Sequence, residues 1–490
     1  MGDWTINLAL ADEGGPPVFL QIARGLAEAV RAGRLRPGQR LPGSRRMADD
    51  LGVHRNTVLA AYAELSAEGW IAATHGRGTF VSADIPDERP RRLPGAARRS
   101  ATPRRTSFPL PAGGPTAEPR RAPHPAGALV LAGGVPDLRL VARAPLWRAY
   151  RRVLGRGPVE LLGYGDARGH ARLRAALARM LAATRGLAAV ADDLVVTRGS
   201  QMGLHLVARA LVAPGDLVAV EALGYRPAWE TLRAARARLV AVPVDAGGID
   251  VDRLRLVAAR RRLRAVYVTP HHQYPTTVPM SPARRLALLA LAAERGFAVI
   301  EDDYDNEFHY QGRPILPLAS ADSAGAVIYV GTLSKVLAPA LRIGYLVAPP
   351  PLAERFAALR SITDGQGDPI TEVAVADLIE EGELQRHLRR VRGVYRARRD
   401  AIAAALRREL GDHLAFTVPP GGMALWAGAR RGIDVDAWAE RAAAGGVIVS
   451  TGREFAMDGR PRPFFRLGFA QRSEPEIAEA VRRLAAARRR

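Results

Sequence analysis

Five short apolar runs in the C-terminal three quarters of the chain most constrain its fold. Each run is followed by a group of polar residues and then by an Ala/Leu/Arg-rich stretch of helical character. The runs cover residues 194–197, 217–220, 265–268, 297–300 and 326–330. Continuous apolar runs of this length that alternate with helices are typical of buried parallel strands. The pattern predicts an α/β domain built on a mainly parallel sheet.

The polar groups come directly after the apolar runs. They are Arg198-Gly199-Ser200-Gln201, residues 221–225, residues 270–275, Glu301-Asp302-Asp303-Tyr304 and Gly331-Thr332-Leu333-Ser334-Lys335. The carboxyl ends of parallel strands meet at one edge of a sheet, and open α/β sheets bind ligands at that edge. We therefore expect a ligand site where these five groups converge.

Lys335 is the only lysine among 71 basic residues. Arginine can replace lysine in solvated or ion-paired positions, but a guanidinium stays protonated and cannot attack an aldehyde, whereas a primary amine can. The one retained primary amine follows the fifth apolar run. This position predicts that Lys335 carries pyridoxal 5′-phosphate as a Schiff base.

The neighbouring polar residues each allow two interpretations. Asp302 could pair with a protonated pyridine nitrogen or be an ordinary ion-pair partner. Residues 199–201 open a helix whose free N–H groups could hold a phosphate, although many helices begin in this way. Tyr225 could stack on a cofactor ring and Tyr304 could hydrogen-bond its phenolic oxygen, or both could be core residues. Their convergence with the sole lysine favours the cofactor.

Residues 16–81 predict a winged helix-turn-helix domain. Apolar spacing indicates a first helix over 19–30, a second that begins with Ser44 as N-cap and ends at Gly52, and a third that begins near His54. Two helices joined by a tight glycine turn form a helix-turn-helix. Two predicted strands, 70–74 and 79–81, flank His75-Gly76-Arg77-Gly78 and form the wing.

The starts of the second and third helices are suited to DNA. The third helix presents His54, Arg55, Asn56 and Thr57, side chains that contact base edges and phosphates. Arg45 opens the second helix, where the helix dipole also favours phosphate. On these residues alone, a structural three-helix module remains the alternative.

Residues 82–128 are crowded with Pro, Arg, Gly and Ser and predict a flexible linker. The chain has a net charge of +22, yet residues 1–81 carry nine Arg against eight acidic residues, so basicity alone does not locate a DNA-binding surface. The linker, with nine Arg against four acidic residues, could follow DNA phosphates or be a solvated spacer.

Several classes of protein are disfavoured by composition. No apolar run reaches the roughly 18 residues that a membrane span needs, and the N-terminus lacks the pattern of a signal peptide, so we expect a cytoplasmic protein. The absence of cysteine excludes disulfides and thiolate zinc sites. No helical H-E-x-x-H spacing occurs, and no metal site is expected.

The N-terminal domain resembles the GntR-type winged helix across residues 18–81. The resemblance lies in the motifs LxPGxxLPxSR, LGVxRxTVxxAYxxLxxEGW and GxGTFV, with departures at Gly43 and His54 that concern sequence preference more than fold. It implies binding to double-stranded operator DNA. The implied DNA-contacting residues are Ser44, Arg45, Arg55, Asn56, Thr57, His75, Gly76 and Arg77.

Residues 129–490 resemble a fold-type I pyridoxal-phosphate aminotransferase of class I/II, and the whole chain is similar to MocR-type regulators. The resemblance implies a large α/β transferase fold with a small C-terminal α+β subdomain. The motifs are Gly134-Val135-Pro136-Asp137, Tyr164-Gly165-Asp166, Thr197-Arg198-Gly199-Ser200-Gln201, Glu301-Asp302-Asp303-Tyr304-Asp305, Gly331-Thr332-Leu333-Ser334-Lys335, Leu341-Arg342-Ile343-Gly344-Tyr345 and Arg466-Leu467-Gly468-Phe469.

The same resemblance assigns a role to each site residue. Lys335 is the Schiff-base lysine, Asp302 the partner of the pyridine nitrogen, Tyr225 the stacking ring and Tyr304 the partner of the phenolic oxygen. Arg466 binds an effector carboxylate, which suits a bidentate guanidinium. The implied phosphate ligands are Ser200, Gln201, Thr332, Ser334 and Arg342.

Three positions of the large domain depart from the pattern of the family. Tyr274 stands where enzymes of this fold have an Asn that bonds the phenolic oxygen, and Leu223 stands where Pro is usual. His271 also replaces the Ser of the usual Ser-His-Gln-Tyr-Pro stretch. The departures favour sensing over fast turnover.

The resemblance therefore implies a homodimeric, head-to-tail regulator that senses an amino compound or pyridoxal phosphate and changes how its winged helices meet operator DNA. Two alternatives stay open. One is a true aminotransferase with an accessory winged helix. The other is a regulator whose large domain is only a cofactor-free dimerisation scaffold.

Overall fold

The computed structural model describes residue 8 and residues 16–74, 77–83, 108–109, 125, 127–312 and 315–488. The chain divides into two compact units, residues 1–112 and 113–490, and each is described by itself. His75, Gly76 and most of the predicted linker lie outside the described residues. No helix in the described ranges is long and apolar enough to cross a membrane.

The N-terminal unit has the predicted order of three helices and a two-stranded wing. Its elements are α1 (Val18–Arg31), α2 (Ser44–Leu51), α3 (Arg55–Ala67), β1 (Ile71–Thr74) and β2 (Gly78–Val81). The two strands pair antiparallel, with Ile71 opposite Val81 and Thr74 opposite Gly78. The first strand starts one residue later than predicted, because Trp70 still belongs to the turn that follows α3.

A compact core holds these elements together. Ile22 and Leu26 of α1 pack with Val58 and Leu65 of α3, and all four are buried. Gly52 ends α2 in the left-handed region at φ +65°, as the glycine turn predicts.

Ser44 does not cap α2, and that prediction is wrong. Gly43 occupies the N-cap position in an extended conformation, and no side chain caps the helix. Ser44 is instead the first helical residue, and its Oγ accepts a hydrogen bond from Nε of Arg55 at 3.3 Å. The serine therefore joins the start of α2 to the start of α3.

The C-terminal unit alternates strands and helices. Its strands are β3 (Leu129–Val130), β4 (Leu194–Thr197), β5 (Leu217–Glu221), β6 (Arg238–Val242), β7 (Val244–Asp245), β8 (Gly248–Ile249), β9 (Leu263–Val268), β10 (Ala298–Asp303), β11 (Val327–Thr332), β12 (Gly344–Val347), β13 (Leu414–Phe416), β14 (Ala424–Ala429), β15 (Val447–Ile448), β16 (Ser450–Thr451) and β17 (Phe464–Gly468). Its helices are α4 (Arg143–Arg156), α5 (Ala171–Arg185), α6 (Ser200–Leu211), α7 (Arg226–Ala234), α8 (Val251–Arg260), α9 (Pro282–Arg295), α10 (Pro350–Thr363), α11 (Pro369–Glu380), α12 (Glu383–Leu410), α13 (Val435–Ala444) and α14 (Glu474–Arg488).

The central sheet has seven strands in the order β4-β12-β11-β10-β9-β5-β6. Strand β12 runs antiparallel to both of its neighbours, and the other pairs are parallel. All five predicted strands are present. Three of them continue past the predicted end, since β5 continues to Glu221, β10 to Asp303 and β11 to Thr332. Glu301, Asp302 and Asp303 therefore belong to the end of β10. Strand β9 begins two residues earlier than predicted, at Leu263.

Helices cover both faces of this sheet, which explains why its strands are continuously apolar. Tyr267 and Ile300 point into one apolar cluster, which contains residues of α6, α7 and α10. Val266 and Val299 point into another, which contains residues of α8 and α9.

A smaller antiparallel sheet, β13-β14-β17-β16, packs with helices of the C-terminal segment and forms the predicted α+β subdomain. Strand β3 pairs with β15, and Ala132 bridges Leu467 of β17. Asp137 then joins this entering segment to α12, because its carboxylate accepts a hydrogen bond from Nη2 of Arg398 at 2.9 Å.

Candidate functional site

A cavity of about 290 Å³ lies at the carboxyl ends of the parallel strands. It is walled by the segments that follow β4, β5, β9, β10 and β11 and, from the smaller sheet, by β17. All ten residues predicted for the cofactor and the effector line it. They are Lys335, Asp302, Tyr304, Tyr225, Ser200, Gln201, Thr332, Ser334, Arg342 and Arg466.

Lys335 follows β11 by three residues and lies among buried groups. Burial and the nearby charge of Arg466 lower the pKa of its amine, while Asp305 and Asp302 oppose that shift. A lowered pKa increases the fraction of neutral amine, which is the form that attacks a carbonyl carbon.

Asp302, at the end of β10, is the buried anion of the cavity. Its Oδ2 accepts a hydrogen bond from the Tyr267 hydroxyl at 2.7 Å. Its Oδ1 is buried and has no hydrogen-bond partner among the described residues. Burial raises the pKa of Asp302 to about 6. A cationic N–H in the cavity would satisfy the free oxygen and stabilise the carboxylate.

The start of α6 and the turn before β12 form a cradle for an anion. Gly199 adopts φ +81° before α6, whose first N–H groups have no helical partners. Arg342 adopts φ +52°, and its Nη2 donates to the Arg198 carbonyl at 2.7 Å. A Cβ on Gly199 would lie 2.8 Å from this guanidinium, so only glycine fits.

The remaining predicted phosphate ligands differ in whether their side chains already make hydrogen bonds to other residues. Nε2 of Gln201 donates to Thr231 Oγ1 at 2.6 Å, so its backbone N–H, not its carboxamide nitrogen, is available to an anion. Thr332 accepts from the Ser334 N–H at 3.1 Å. These bonds fix the chain between β11 and Lys335 and leave the Ser334 hydroxyl at the cavity wall.

Three tyrosines form an aromatic wall. Tyr274 meets Tyr225 edge-on with ring centroids 5.6 Å apart, and it meets Tyr304 edge-on at 5.8 Å. The Tyr304 hydroxyl donates to the His272 carbonyl at 3.0 Å. Burial raises the pKa of Tyr304 and of Tyr225, so both hydroxyls keep their protons.

Arg466, on β17 of the smaller sheet, is the buried cation of the cavity. It is 1% exposed, and its guanidinium carbon lies 4.5 Å from the ring centroid of Tyr274. Its Nε and Nη1 have no hydrogen-bond partner in the part of the chain that the structure describes. A Cβ on Gly133 would lie 2.5 Å from Nη1. A buried guanidinium with free donors is suited to a carboxylate ligand.

The sequence interpretation missed Tyr267, Thr269 and Gly133, which also line the cavity. Tyr267 was assigned only to a buried strand. The available signal was its polar hydroxyl within a Val-rich run, because a buried tyrosine usually hydrogen-bonds a partner. Gly133 carried no signal of its own, since its role depends on a guanidinium more than 300 residues away.

The predicted DNA-contacting residues that the structure describes lie together on the N-terminal unit. Arg45 on α2 and Arg55 and Asn56 on α3 are exposed, and the Arg55–Ser44 hydrogen bond places the starts of the two helices side by side. His54 caps α3 through Nδ1, which accepts from the Asn56 N–H at 3.2 Å. Thr57 is half-buried beside them, and Arg77 is exposed in the wing turn.

Comparison with known families divides the chain as the two units do. Residues 19–81 match the gntR family of bacterial regulatory proteins, and residues 157–484 match the aminotransferase class I and II family. Two relatives extend over nearly the whole chain. The probable rhizopine catabolism regulatory protein MocR of Rhizobium meliloti is 33% identical over 480 residues, which cover 98% of this chain and 95% of the relative. The HTH-type transcriptional regulator TauR of Rhodobacter capsulatus is 32% identical and covers 98% of each chain.

A solved structure extends over the large unit only. It is that of LysN, an α-aminoadipate aminotransferase of Thermus thermophilus complexed with N-(5′-phosphopyridoxyl)-L-leucine. It matches with a TM-score of 0.69 and 32% identity, and covers 74% of this chain and 92% of that one. This chain therefore belongs to the MocR-type regulators of the GntR family, in which a winged helix precedes an aminotransferase class I and II domain.

Proposed function

We propose that this protein is a transcriptional regulator that binds operator DNA through residues 16–81 and pyridoxal 5′-phosphate at Lys335. Its effector would be an amino compound or the cofactor itself. The observation that carries the proposal is one cavity that unites the sole lysine, a buried carboxylate with a free oxygen, an anion cradle and a buried arginine. This cavity belongs to the same chain as a GntR-type winged helix.

The cavity residues fit each part of the cofactor. Asp302 would hold a proton on the pyridine nitrogen through its free Oδ1, and the start of α6 with Ser200, Gln201, Thr332, Ser334 and Arg342 would hold the phosphate. Tyr225 would cover the ring, and the Tyr304 hydroxyl would redirect its hydrogen from the His272 carbonyl to the phenolic oxygen of the cofactor. Bound there, pyridoxal phosphate would supply an aldehyde carbon that exchanges amines, with its ring as an electron sink.

Two side chains would then select the effector. Lys335 supplies a primary amine with a lowered pKa, so an incoming amine competes with it for the same carbon. Arg466 would bind a carboxylate of the incoming molecule and so orient its amino group toward Lys335. Amines that carry a carboxylate are therefore the class of effector that the cavity favours.

A regulator is favoured over an enzyme by two observations. The relatives that match from end to end are named regulators, whereas the aminotransferase matches the large unit alone. In addition, Tyr274 stands at the position of the Asn that enzymes of this fold use on the phenolic oxygen, and its ring packs on the guanidinium of Arg466. Amino transfer to an oxo acid at ordinary enzymic rates would support the enzyme instead.

A homodimer, head-to-tail as in this fold generally, is part of the proposal. Large apolar side chains that are well exposed on the isolated chain concentrate in and just after α4. They are Trp147, Leu154, Val159, Leu162 and Tyr164, with exposed fractions of 60%, 63%, 73%, 71% and 103%. Exposed apolar patches of this kind mark protein contacts. The masses of wild type and of Trp147→Glu/Leu162→Glu, measured by light scattering, test the dimer.

The decisive experiment is footprinting of the intergenic DNA beside the gene for this protein, with and without pyridoxal phosphate and a panel of amines. We expect this protein, as a cytoplasmic regulator, to protect an operator sequence in that DNA. We also expect the protection to change when cofactor or amine is added. An absence of protected DNA under all conditions would overturn the regulatory role. Protection that does not change with cofactor or amines would support the alternative in which the large domain is only a cofactor-free dimerisation scaffold.

A further inference from the structure

Three histidines outside the cofactor cavity lie together in the C-terminal unit. His271 and His272 follow β9, and His309 follows β10. One ring nitrogen from each lies within 4.8 Å of the others. The rings of His271 and His272 are 4.6 Å apart, centroid to centroid, and those of His271 and His309 are 6.5 Å apart. None of the three lines the cavity that contains Lys335.

The nitrogens of this cluster lack the hydrogen bonds that buried nitrogens normally make. Nε2 of His271 and both ring nitrogens of His309 are buried without a partner among the described residues. An unsatisfied buried nitrogen is unfavourable, and a bound ion is one of the explanations for such a group in a native protein. Because the two ring nitrogens of His309 face in different directions, one of them and Nε2 of His271 could share a ligand.

The surroundings orient two of the rings toward such a ligand. Nδ1 of His272 lies 2.8 Å from Oδ1 of Asp305, a carboxylate–histidine pair that leaves Nε2 as the metal-binding atom. Nδ1 of His271 lies 3.2 Å from the amide nitrogen Nδ2 of Asn306. A half-turn of the carboxamide would present its oxygen instead, so that Nδ1 would donate and Nε2 of His271 would be free to bind a metal ion.

The cluster also has an access route. His309 lines a second cavity of about 540 Å³, together with Asn306, Glu307 and Arg392. His271 and His272 are only 3% and 2% exposed, so an ion would arrive from the side of His309. His309 is half-buried, whereas His271 and His272 are buried, so His309 would be the outermost ligand of the site.

We propose that His271, His272 and His309 form a binding site for a divalent first-row transition metal ion, of which zinc(II) is the representative. Imidazole nitrogens prefer zinc, copper and nickel over magnesium and calcium. Zinc bonds nitrogen at about 2.0–2.1 Å, which places tetrahedral ligands about 3.3 Å apart. The three nitrogens therefore need to approach one another by about 1.5 Å or less. A fourth position stays open toward the second cavity.

The proposal does not depend on the regulatory function, and it runs counter to the sequence expectation that no metal site exists. The adjacent pair and the distant third histidine have none of the spacings that mark helical zinc sites. The topology alone brings them together, because β9 and β10 are neighbours in the sheet.

The test is a titration of tag-free, full-length protein with Zn²⁺ after chelator treatment, followed by dialysis and metal analysis. We expect one tightly held zinc per chain in wild type. His309→Ala should weaken binding at least about tenfold, the lower end of what even supporting residues of metal sites contribute. His309→Gln is a second variant if the alanine chain folds poorly, as judged by circular dichroism.

Two controls separate the cluster from other sites. His205→Ala removes an exposed histidine on α6 and should leave zinc affinity unchanged. Lys335→Ala should also retain zinc, since the cofactor cavity shares none of the three ligands. Equal zinc binding by wild type and a folded His309 variant would overturn the proposal, as would loss of zinc in His205→Ala.

Discussion

Tyr267 donates its hydroxyl hydrogen to Oδ2 of Asp302 at 2.7 Å, which fixes the carboxylate at the wall of the cofactor cavity and leaves Oδ1 without a partner among the described residues. The two residues lie on neighbouring strands, β9 and β10. Burial raises the pKa of this carboxyl to about 6, so it is only partly ionised near that pH. A cationic ring nitrogen would complete its hydrogen bonding and favour the ionised form.

Asp302→Asn should weaken binding of pyridoxal phosphate roughly 10- to 100-fold, because a charged hydrogen bond contributes about 1.5–3 kcal/mol. Tyr267→Phe should have a smaller effect in the same direction, since it loosens the carboxylate. Equilibrium titration of the visible absorbance measures both. Tyr329→Phe is the matched control, because Tyr329 bonds Asp303 and does not line the cavity. Equal losses in all three variants would contradict a specific role for Asp302.

Lys335→Ala should abolish the visible absorbance of bound cofactor and its trapping by borohydride. Because Lys335 is the only lysine, reduction of the wild type should attach one pyridoxyl phosphate group, and peptide mass analysis should find it on the peptide that contains residues 331–335. Lys335→Ala also measures the background reaction of the cofactor with the N-terminal amine. Trapping that persists in Lys335→Ala would remove this residue from the proposed role.

Arg466→Lys should reduce the response to amino acids at least about tenfold and leave the response to the corresponding amines without a carboxylate unchanged. The reason is the loss of a bidentate contact, which an ammonium cannot make. Spectral titration with matched pairs of ligands measures the selectivity. Arg209→Ala, an exposed arginine on α6, is the control. An equal loss for both classes of ligand would indicate that Arg466 maintains the cavity and does not select carboxylates.

Arg55→Ala and Asn56→Ala should weaken DNA binding in different ways. Loss of a phosphate contact at Arg55 lowers the slope of log affinity against log salt by about 1, whereas loss of a base contact at Asn56 costs about 1–3 kcal/mol of sequence discrimination. Binding to operator and random duplexes at several salt concentrations separates the two. Arg24→Ala, exposed on α1, should change neither quantity.

Glu221 predicts a pH dependence of stability in the cofactor-free protein. Burial raises its pKa to about 8, so the folded state keeps a proton that the unfolded chain has released. Its contribution to stability therefore falls as pH rises from the unfolded pKa through about 8. Between pH 7 and pH 9, wild type should lose about 1 kcal/mol relative to Glu221→Gln.

Chemical denaturation of both proteins at the two pH values measures this difference. The lowered pKa of Lys335 acts in the opposite direction, but it is common to both proteins and cancels in the comparison. Glu221→Gln retains an acceptor for the Thr269 hydroxyl, which lies 2.8 Å from the carboxylate. Parallel pH profiles would show that Glu221 is ionised in the fold at neutral pH.

The sequence could predict the strands and the edge where polar residues gather, because buried strands are apolar and the chemistry follows each of them directly. It could not predict β6 or β12. Arg238 begins β6, an edge strand whose side chains are partly exposed, and β12 follows a short turn that contains Pro339 and runs antiparallel to its neighbours. The pairing of β12 with β4 depends on glycine, since a Cβ on Gly344 would lie 2.6 Å from the backbone of Gly199.

Within the candidate site, residues with a chemical signature were predicted and those defined by a distant partner were not. Lys335 and Asp302 stand out by residue type and position. Gly133 and the histidine cluster become meaningful only once the fold brings Arg466, or β9 and β10, into place. The prediction of Ser44 as the N-cap of α2 was wrong for a local reason, because Ser44 is the first residue inside the helix.

The segment that enters the large unit, residues 129–137, continues directly from the predicted linker. It is fastened by hydrogen bonds from Leu131 to Ile448 at 2.8 Å and by the Asp137–Arg398 ion pair, and between these points Gly133 lies against Arg466. The first residues of the large unit are thus part of the wall of the Lys335 cavity. A ligand that displaced Arg466 would act directly on the segment by which the chain enters this unit, and no relay through the central sheet would be needed.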